Sequence, residues 1–366
     1  MSSGTPLTVL VTGGSGFLGS SVVPGLASEG HHVISADLRD PAPPAASREP
    51  AASGTGTATG SVRHVRMDVR DRHTVSRVVA EHRPDVVVHL ASVVTPGKDS
   101  DRALERAVDV DGTRHVLDAC REHGVRRIVV SSSGAAYGYH ADNPVPLTED
   151  HSLRGNPEFA YADHKRQVEE MLAVERERTP ALEQVVLRIG TILGERVDNQ
   201  ITRLWQGRFI LRIAGHDSPF VLVWDEDVVR VVRAAVSSPV TGVFNVAGEG
   251  SVTVPEIARA LGRRTLAVPE PVLRAVLRVG KRLRLTPYGP EQTVFLAHRP
   301  VLDASRLATL GVTVTPTREV LDRYAASRPG GTRQDDPGEV SIPAGPVRHR
   351  GERTAFGGSP RRRRTR

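Results

Sequence analysis

"LTVLVTGGSGFLG", residues 7–19, decides the fold. Its first half is an apolar, β-branched run that reads as a strand buried on both faces. Glycines then follow at 13, 16 and 19 in the spacing G-x-x-G-x-x-G, with Gly14 additional. Glycine permits a tight turn and lets the backbone approach a pyrophosphate closely. "SSVVPGLASEG" continues as an amphipathic helix, whose N-terminus favours that negative charge. A glycine triplet alone is weak evidence. Between a strand and a helix it reads as a dinucleotide-binding turn, with Gly13, Gly16, Phe17, Leu18 and Gly19 against the cofactor.

The pattern repeats outward from this turn. "HHVISADLRD" and "SVRHVRMDVRD" read as the second and third strands, and "RHTVSRVVAEHRP" as a helix. "DVVVHLASV" is a fourth strand, "DRALERAVDVDGTRHVLDACREHG" a long helix, and "VRRIVVSSS" a fifth strand. A helix over 161–178 precedes "LEQVVLRIG", the sixth. Strands alternating with helices predict an α/β fold with a Rossmann-type doubly wound parallel sheet over residues 1–190. From about 190 the elements shorten. Residues 191–328 read as a smaller C-terminal substrate-binding region, partly interleaved with the first. There "PVLRAVLRVGKRLRL" predicts a basic amphipathic helix with a solvated Arg/Lys face. Residues 40–60, rich in Pro, Ala, Gly, Ser and Thr, read as a flexible insertion, and 329–366 as a disordered basic tail.

The chain of 366 residues can bury a sizeable core. Its net charge is +7, but the tail holds nine arginines against four acids, leaving about +2 for the rest. That distribution argues against nucleic acid as a partner. No apolar run reaches the roughly 18 residues that span a bilayer, so no membrane partner is expected. The N-terminus lacks a charged region followed by an apolar one, so no secretory signal is expected. A lone cysteine, Cys120, excludes an internal disulfide and points to a cytoplasmic location. The 14 histidines show no metal-ligand spacing, so no metal is expected.

Asp37 lies 18 residues past Gly19 at the end of the second strand. An acid there accepts hydrogen bonds from an adenosine ribose and repels a 2′-phosphate, favouring NAD over NADP. Arg39 works the other way, because a nearby arginine accommodates that phosphate. Asp68, beside the Val69 backbone, is placed to meet the adenine. Leu90, Ala91 and Ser92 end the fourth strand where the sheet opens toward a cofactor, and His89 reads as a packed, structural histidine.

Ser133 ends the fifth strand. Tyr161 and Lys165, in "YADHK", follow 28 and 32 residues later. A Tyr and a Lys at i and i+4 share one helix face. A neighbouring cation favours phenolate and lowers the phenol below its usual value of about 10. Such a phenol exchanges a proton with an alcohol or carbonyl while hydride moves to or from nicotinamide. The bland reading, a polar helix face, loses ground because the glycine turn and the serine-ended strand occur in the same chain.

With these motifs the sequence resembles the extended short-chain dehydrogenase/reductases, the NAD-dependent epimerase/dehydratase family, over roughly residues 7–325. "TGGSGFLG", "DVRD", "HLAS", "DVDGTRHVLDA", "SSSGAAYG", "YADHK" and "GVFNVAG" carry the resemblance. It implies Tyr161 as acid/base, Lys165 on the nicotinamide ribose, Ser133 as orienting hydroxyl, and a small-molecule substrate. It also implies a homodimer through the helices at 101–123 and 161–178. Two departures matter. Asp109 stands where the family carries Asn. Gly134–Ala135 stands where 4,6-dehydratases carry an Asp-Glu pair, which argues against dehydration. The expected activity is NAD(P)-dependent hydride transfer between nicotinamide and a secondary alcohol or ketone. The alternative is an NAD-dependent sugar-nucleotide epimerase that retains its cofactor, and a non-catalytic dinucleotide-sensing or RNA-binding relative is disfavoured because Tyr161 and Lys165 are both present.

Overall fold

The computed structural model describes residues 5–40, 60–94, 101–283, 285, 289–290 and 292–328. The predicted insertion, apart from its end residues, and the predicted tail lie outside the described residues.

In chain order the first elements are β1 (Thr8–Thr12), α1 (Gly19–Ser28), β2 (His32–Asp37), β3 (Ser61–Arg66), α2 (Arg72–His82) and β4 (Val86–His89). Then come α3 (Arg102–Arg106), α4 (Gly112–Glu122), β5 (Arg127–Ser133), α5 (Ala160–Arg178) and β6 (Glu183–Ile189). The later part contains β7 (Thr191–Leu193), α6 (Gln200–Leu204), β8 (Phe209–Ile213), β9 (Leu222–Trp224), α7 (Asp225–Ser237) and β10 (Gly242–Val246). Beyond these lie α8 (Val254–Ala260), β11 (Arg264–Val268), α9 (Glu270–Arg282), α10 (Gln292–Ala297) and α11 (Thr317–Ala326).

Seven strands form one parallel sheet in the order β10-β6-β5-β4-β1-β2-β3. This is the Rossmann-type α/β fold expected from the sequence. The seventh strand, "GVFNV", comes from beyond residue 190 and pairs Val243 with Val186 and Phe244 with Leu187. Alternation along β1 sends neighbouring side chains to opposite faces. Val9 and Val11 pack with Val22, Leu26 and Val231 under α1 and α7. Leu10 packs with Val75, Val79, Val116 and Leu172 under α2, α4 and α5. Each such buried aliphatic side chain stabilises the fold by about 1.5–3 kcal/mol. The chain order reverses between β1 and β4, and a crevice outside the strand ends at such a point takes the ligand in open α/β sheets.

The long helix predicted from the sequence is interrupted. Residues Ala107–Asp111 form a π-turn between α3 and α4. Such turns concentrate at functional sites, and here it holds the buried Asp109. After residue 190, β7 pairs with β9, and β8 with β11. A separate apolar cluster of Leu193, Trp205, Phe220, Trp224, Ile257 and Tyr324 joins them to α8 and α11. Of the three acids that open α7, Glu226 is exposed, but Asp227 is fully buried, paired with Arg230 and accepting the Thr315 N–H at 2.7 Å. No described helix is long and apolar enough to cross a membrane.

Candidate active site

The glycine turn is closed by backbone contact. Gly13 has φ +70°, and a Cβ there would sit 2.8 Å from the Ala91 nitrogen. A Cβ on Gly19 would meet the Gly13 carbonyl oxygen at 2.2 Å. Any other residue would therefore push the turn away from the end of β4. Leu90 and Ala91 run alongside it, with the Leu90 N–H donating to the Thr12 carbonyl at 3.1 Å. Phe17 is half exposed and, with Leu18, Val229 and Arg230, lines a cleft of about 340 Å³ between α1 and α7.

Asp37 ends β2. Its carboxylate accepts the Ser15 N–H at 3.1 Å and the Arg39 N–H at 3.0 Å, which ties it to the glycine turn. Ser15, Asp37, Arg39, His64 and Arg66 border a small cleft there. Asp68 is engaged differently from the sequence expectation. Its carboxylate is held by Arg70, with Nε at 3.0 Å and Nη2 at 2.6 Å, and that hydrogen bonding lowers its pKa from the usual range. Val69 is buried against Gly112.

His89 is structural, as the sequence suggests. It is buried, with Nδ1 at 2.7 Å from the Thr12 hydroxyl and Nε2 at 3.0 Å from that of Thr113. Burial depresses its pKa to about 3, Lys165 adding to the effect, so it stays neutral and clamps β1, β4 and α4 together.

The helix spacing brings Tyr161 and Lys165 to the end of β5. Ser133 Oγ accepts the Ala135 N–H at 3.2 Å and donates to the Ile189 carbonyl at 3.5 Å, and its hydroxyl acts to lower the pKa of the neighbouring Tyr161 phenol. Lys165 Nζ donates to the Ser131 carbonyl at 2.9 Å and lies 5.7 Å from the centre of the Tyr161 ring. The three residues predicted from the sequence therefore meet. The expected electrostatics do not. Burial pushes the Tyr161 phenol up to about 12, against the lowering by Ser133, and the Asp109 charge adds to the rise. Lys165 spends its ammonium on a strand carbonyl, and desolvation outweighs attraction at the phenol.

Asp109 Oδ1 accepts from the Val93 N–H at 2.8 Å and the Ser92 hydroxyl at 2.9 Å, while Oδ2 lies 3.4 Å from Nδ1 of the buried His164. Burial alone would raise its pKa, but His164, Lys165, Val93 and Ser92 together hold it below the usual carboxylate range. This carboxylate thus fastens the end of β4 to α5 one residue before Lys165. Behind the site, Ser132 donates to Glu169 at 2.5 Å, Glu169 pairs with Arg188 at 2.8 Å, and Arg188 reaches the Tyr137 hydroxyl at 2.7 Å. All four are buried. The network holds β5, β6 and α5 in register.

Tyr161 borders an aromatic cluster. Tyr139 meets Phe159 and Phe295 edge-on at 5.4 and 5.2 Å. Arg299 lies against this cluster, its guanidinium 3.9 Å from the centre of the Phe295 ring and 3.8 Å from that of Phe220. It is 9% exposed, and its Nε and Nη2 have no hydrogen-bond partner. Burial lowers its pKa to about 9, partly opposed by Tyr139. Sequence reading missed Arg299 and His164. Nothing local in "HRP" distinguishes Arg299 from the chain's other arginines. His164 sits inside "YADHK", where its neighbours drew the attention.

A parallel sheet with a glycine turn at its first strand, Ser133, Tyr161 and Lys165 at the end of its fifth and a carboxylate ending its second is the arrangement that the resemblance to the short-chain dehydrogenase/reductases implies. The profile of the NAD dependent epimerase/dehydratase family matches residues 9–247, and the chain belongs to that family. It is an NAD-dependent enzyme by that membership. UDP-glucose 4-epimerase of Drosophila melanogaster is 35% identical over 170 residues, 46% of this chain and 48% of that protein. An uncharacterized protein of Mycobacterium tuberculosis is 26% identical over 305 residues, 82% of this chain and 78% of its own. The Thermus thermophilus UDP-glucose 4-epimerase complex with NAD superposes with TM-score 0.63 at 25% identity, covering 88% of this chain and 98% of that one. MoeE5 in complex with UDP-glucuronic acid and NAD shares the fold, with TM-score 0.64 at 24% identity, covering 87% and 98%.

Proposed function

We propose that the protein is an NAD-dependent epimerase acting on a sugar joined to a nucleoside diphosphate. The observation that carries this reading is Arg299. A buried guanidinium with two unsatisfied N–H groups is costly without an anion. A diphosphate offers paired acceptor oxygens that suit its planar fork. The likeness to two UDP-glucose 4-epimerases supports the same class. The absence of an acid pair at Gly134–Ala135 speaks against dehydration, which needs a further acid and base.

The residues present suit an adenine dinucleotide. Gly13, Gly16 and Gly19 bring no side chains of their own between the turn backbone and a pyrophosphate, and Asp37 offers a carboxylate to a ribose. Phe17, Leu18, Leu90, Ala91, Ser92, Asp68 and Val69 complete the binding surface, with Arg70 releasing Asp68 for the adenine. Bound NAD supplies the hydride acceptor and, on the return step, the donor. Tyr161 takes the proton from the sugar hydroxyl and returns it to the carbonyl oxygen. Ser133 orients that oxygen, and Lys165 holds the nicotinamide ribose and stabilises the phenolate once the ligands exclude water. Asp109 and His164 keep α5 against the end of β4. A homodimer through α3–α4 and α5 and a cytoplasmic location fit the same reading, the latter through the single buried Cys120.

The test is to denature the purified protein, measure released NAD(H), and incubate the native protein with UDP-glucose and related UDP-hexoses. Stoichiometric NAD and a redistributed hydroxyl configuration without net NADH are expected. An empty protein that accumulates NADH from an alcohol would replace this reading with a net dehydrogenase.

A further inference from the structure

We propose that α9 docks the protein on an anionic membrane surface. Val272, Val276, Val279 and Leu283 recur at i, i+4, i+7 and i+11 and so form one stripe along the helix. Each is exposed by half or more, from 50% to 61%. A different face of the same helix, Leu273 and Leu277, packs on Ile213 and Ala297. The helix is therefore held by the fold through one face while a second apolar face stays in water. The stripe continues onto the two-stranded sheet beneath. Leu266 and Phe209 share a sheet face with Val268 and Leu211, which pack with α9, and both are more than 40% exposed. Half of the fourteen exposed large apolar side chains in the described residues fall within 209–285. Such concentration marks an interaction surface.

The charge identifies the partner. At 100° per residue, Arg282 and Arg278 follow the stripe on the side away from the packed face, while Arg274 and Lys281 lie opposite the stripe. Arg278 and Arg282 are exposed, and Arg274 pairs with Glu270 within the helix, at 3.4 Å. A convex ridge of β-branched side chains bordered by cations matches the acyl–headgroup boundary of an anionic bilayer, which requires no complementary shape. A second copy of the chain is the poorer fit. A two-fold contact along the stripe would set the arginines of one copy against those of the other. The sequence reading assigned this helix a solvated basic face. Its exposed valines are what that reading left out.

The experiment is co-sedimentation of the full chain with phosphatidylglycerol–phosphatidylcholine vesicles and with phosphatidylcholine alone. Binding to the anionic vesicles is expected, falling about tenfold in Val276→Glu/Val279→Glu and likewise in Arg278→Glu/Arg282→Glu. Val174→Glu, at an exposed valine on α5, should bind as the parent does. Val276→Ser/Val279→Ser replaces the glutamate pair if that variant does not fold. Absence of binding by the parent overturns the proposal. So does binding undiminished in both double variants, which assigns the attraction to the arginine-rich residues 361–366. Self-association abolished by the valine variants, without vesicle binding, also overturns it and makes the patch a contact between copies.

Discussion

Replacing Arg299 by methionine should stabilise the free protein and weaken its substrate, two changes of opposite sign. Methionine keeps contact with the rings of Phe220 and Phe295 but removes the charge. Burial lowers the guanidinium from its usual 12.5 to about 9. A fall of that size is equivalent to about 5 kcal/mol against the charged form. Two ring contacts under 4 Å return about 2 kcal/mol each when desolvated. The remainder, about 1 kcal/mol, is what Arg299→Met should gain in the free protein, seen as a melting temperature higher by about 2 °C. A diphosphate bound by Nε and Nη2 gains about 1.5–3 kcal/mol per charge-assisted hydrogen bond. Losing both, about 3–6 kcal/mol, should weaken UDP by about 10²–10⁴-fold. Differential scanning fluorimetry and titration calorimetry with UDP read the two effects separately. A variant that melts lower and binds UDP unchanged would make Arg299 a core residue, and the diphosphate argument would fall.

Tyr161→Phe should retain NAD and lose activity by about 10²–10⁴-fold; full activity in the variant removes Tyr161 from the chemistry. Because burial raises the folded phenol to about 12, its contribution to stability is present below pH 10 and is lost as pH rises through 12. The 295 nm titration difference between the parent and Tyr161→Phe, without ligands, should show that late midpoint, and a midpoint under 9 contradicts the burial argument. His89 carries the reverse sign. Its folded pKa near 3 lies below the unfolded value, so stability drops as pH falls from about 6.5 toward 3. Urea midpoints between pH 7 and 4.5 should fall more steeply for the parent than for His89→Asn, and equal slopes would mean another group governs acid unfolding. Asp37→Ala should shift cofactor preference toward NADP, checked by paired affinity measurements. An unchanged ratio would make Asp37 a turn residue that only ties Ser15 and Arg39 together.

Local chemistry made much of this protein legible without coordinates. "VLVTGGSGFLG" has to be a strand, a turn and a helix, because a β-branched apolar run and glycine spacing act over a few residues. The i, i+4 spacing of Tyr161 and Lys165 fixes a shared helix face by geometry alone, and Ser133 at the end of an apolar run fixes its place at the sheet edge. What lay beyond the sequence depends on residues far apart in the chain. "GVFNV" is too short to declare its partner, and only pairing with β6 makes it the seventh strand. The π-turn at Ala107–Asp111 shifts helical phase without any composition signal, yet it brings Asp109 to His164 and the end of β4. The raised phenol of Tyr161 comes from burial, which no spacing encodes. Arg299 is one arginine among many until the fold places two aromatic rings on it and leaves its N–H groups unpaired. The sequence set the turn, the strands and the reacting side chains, because those rest on contacts between near neighbours. The tertiary structure decided the electrostatics and the anion-binding group, because desolvation and charge pairing exist only once distant segments pack.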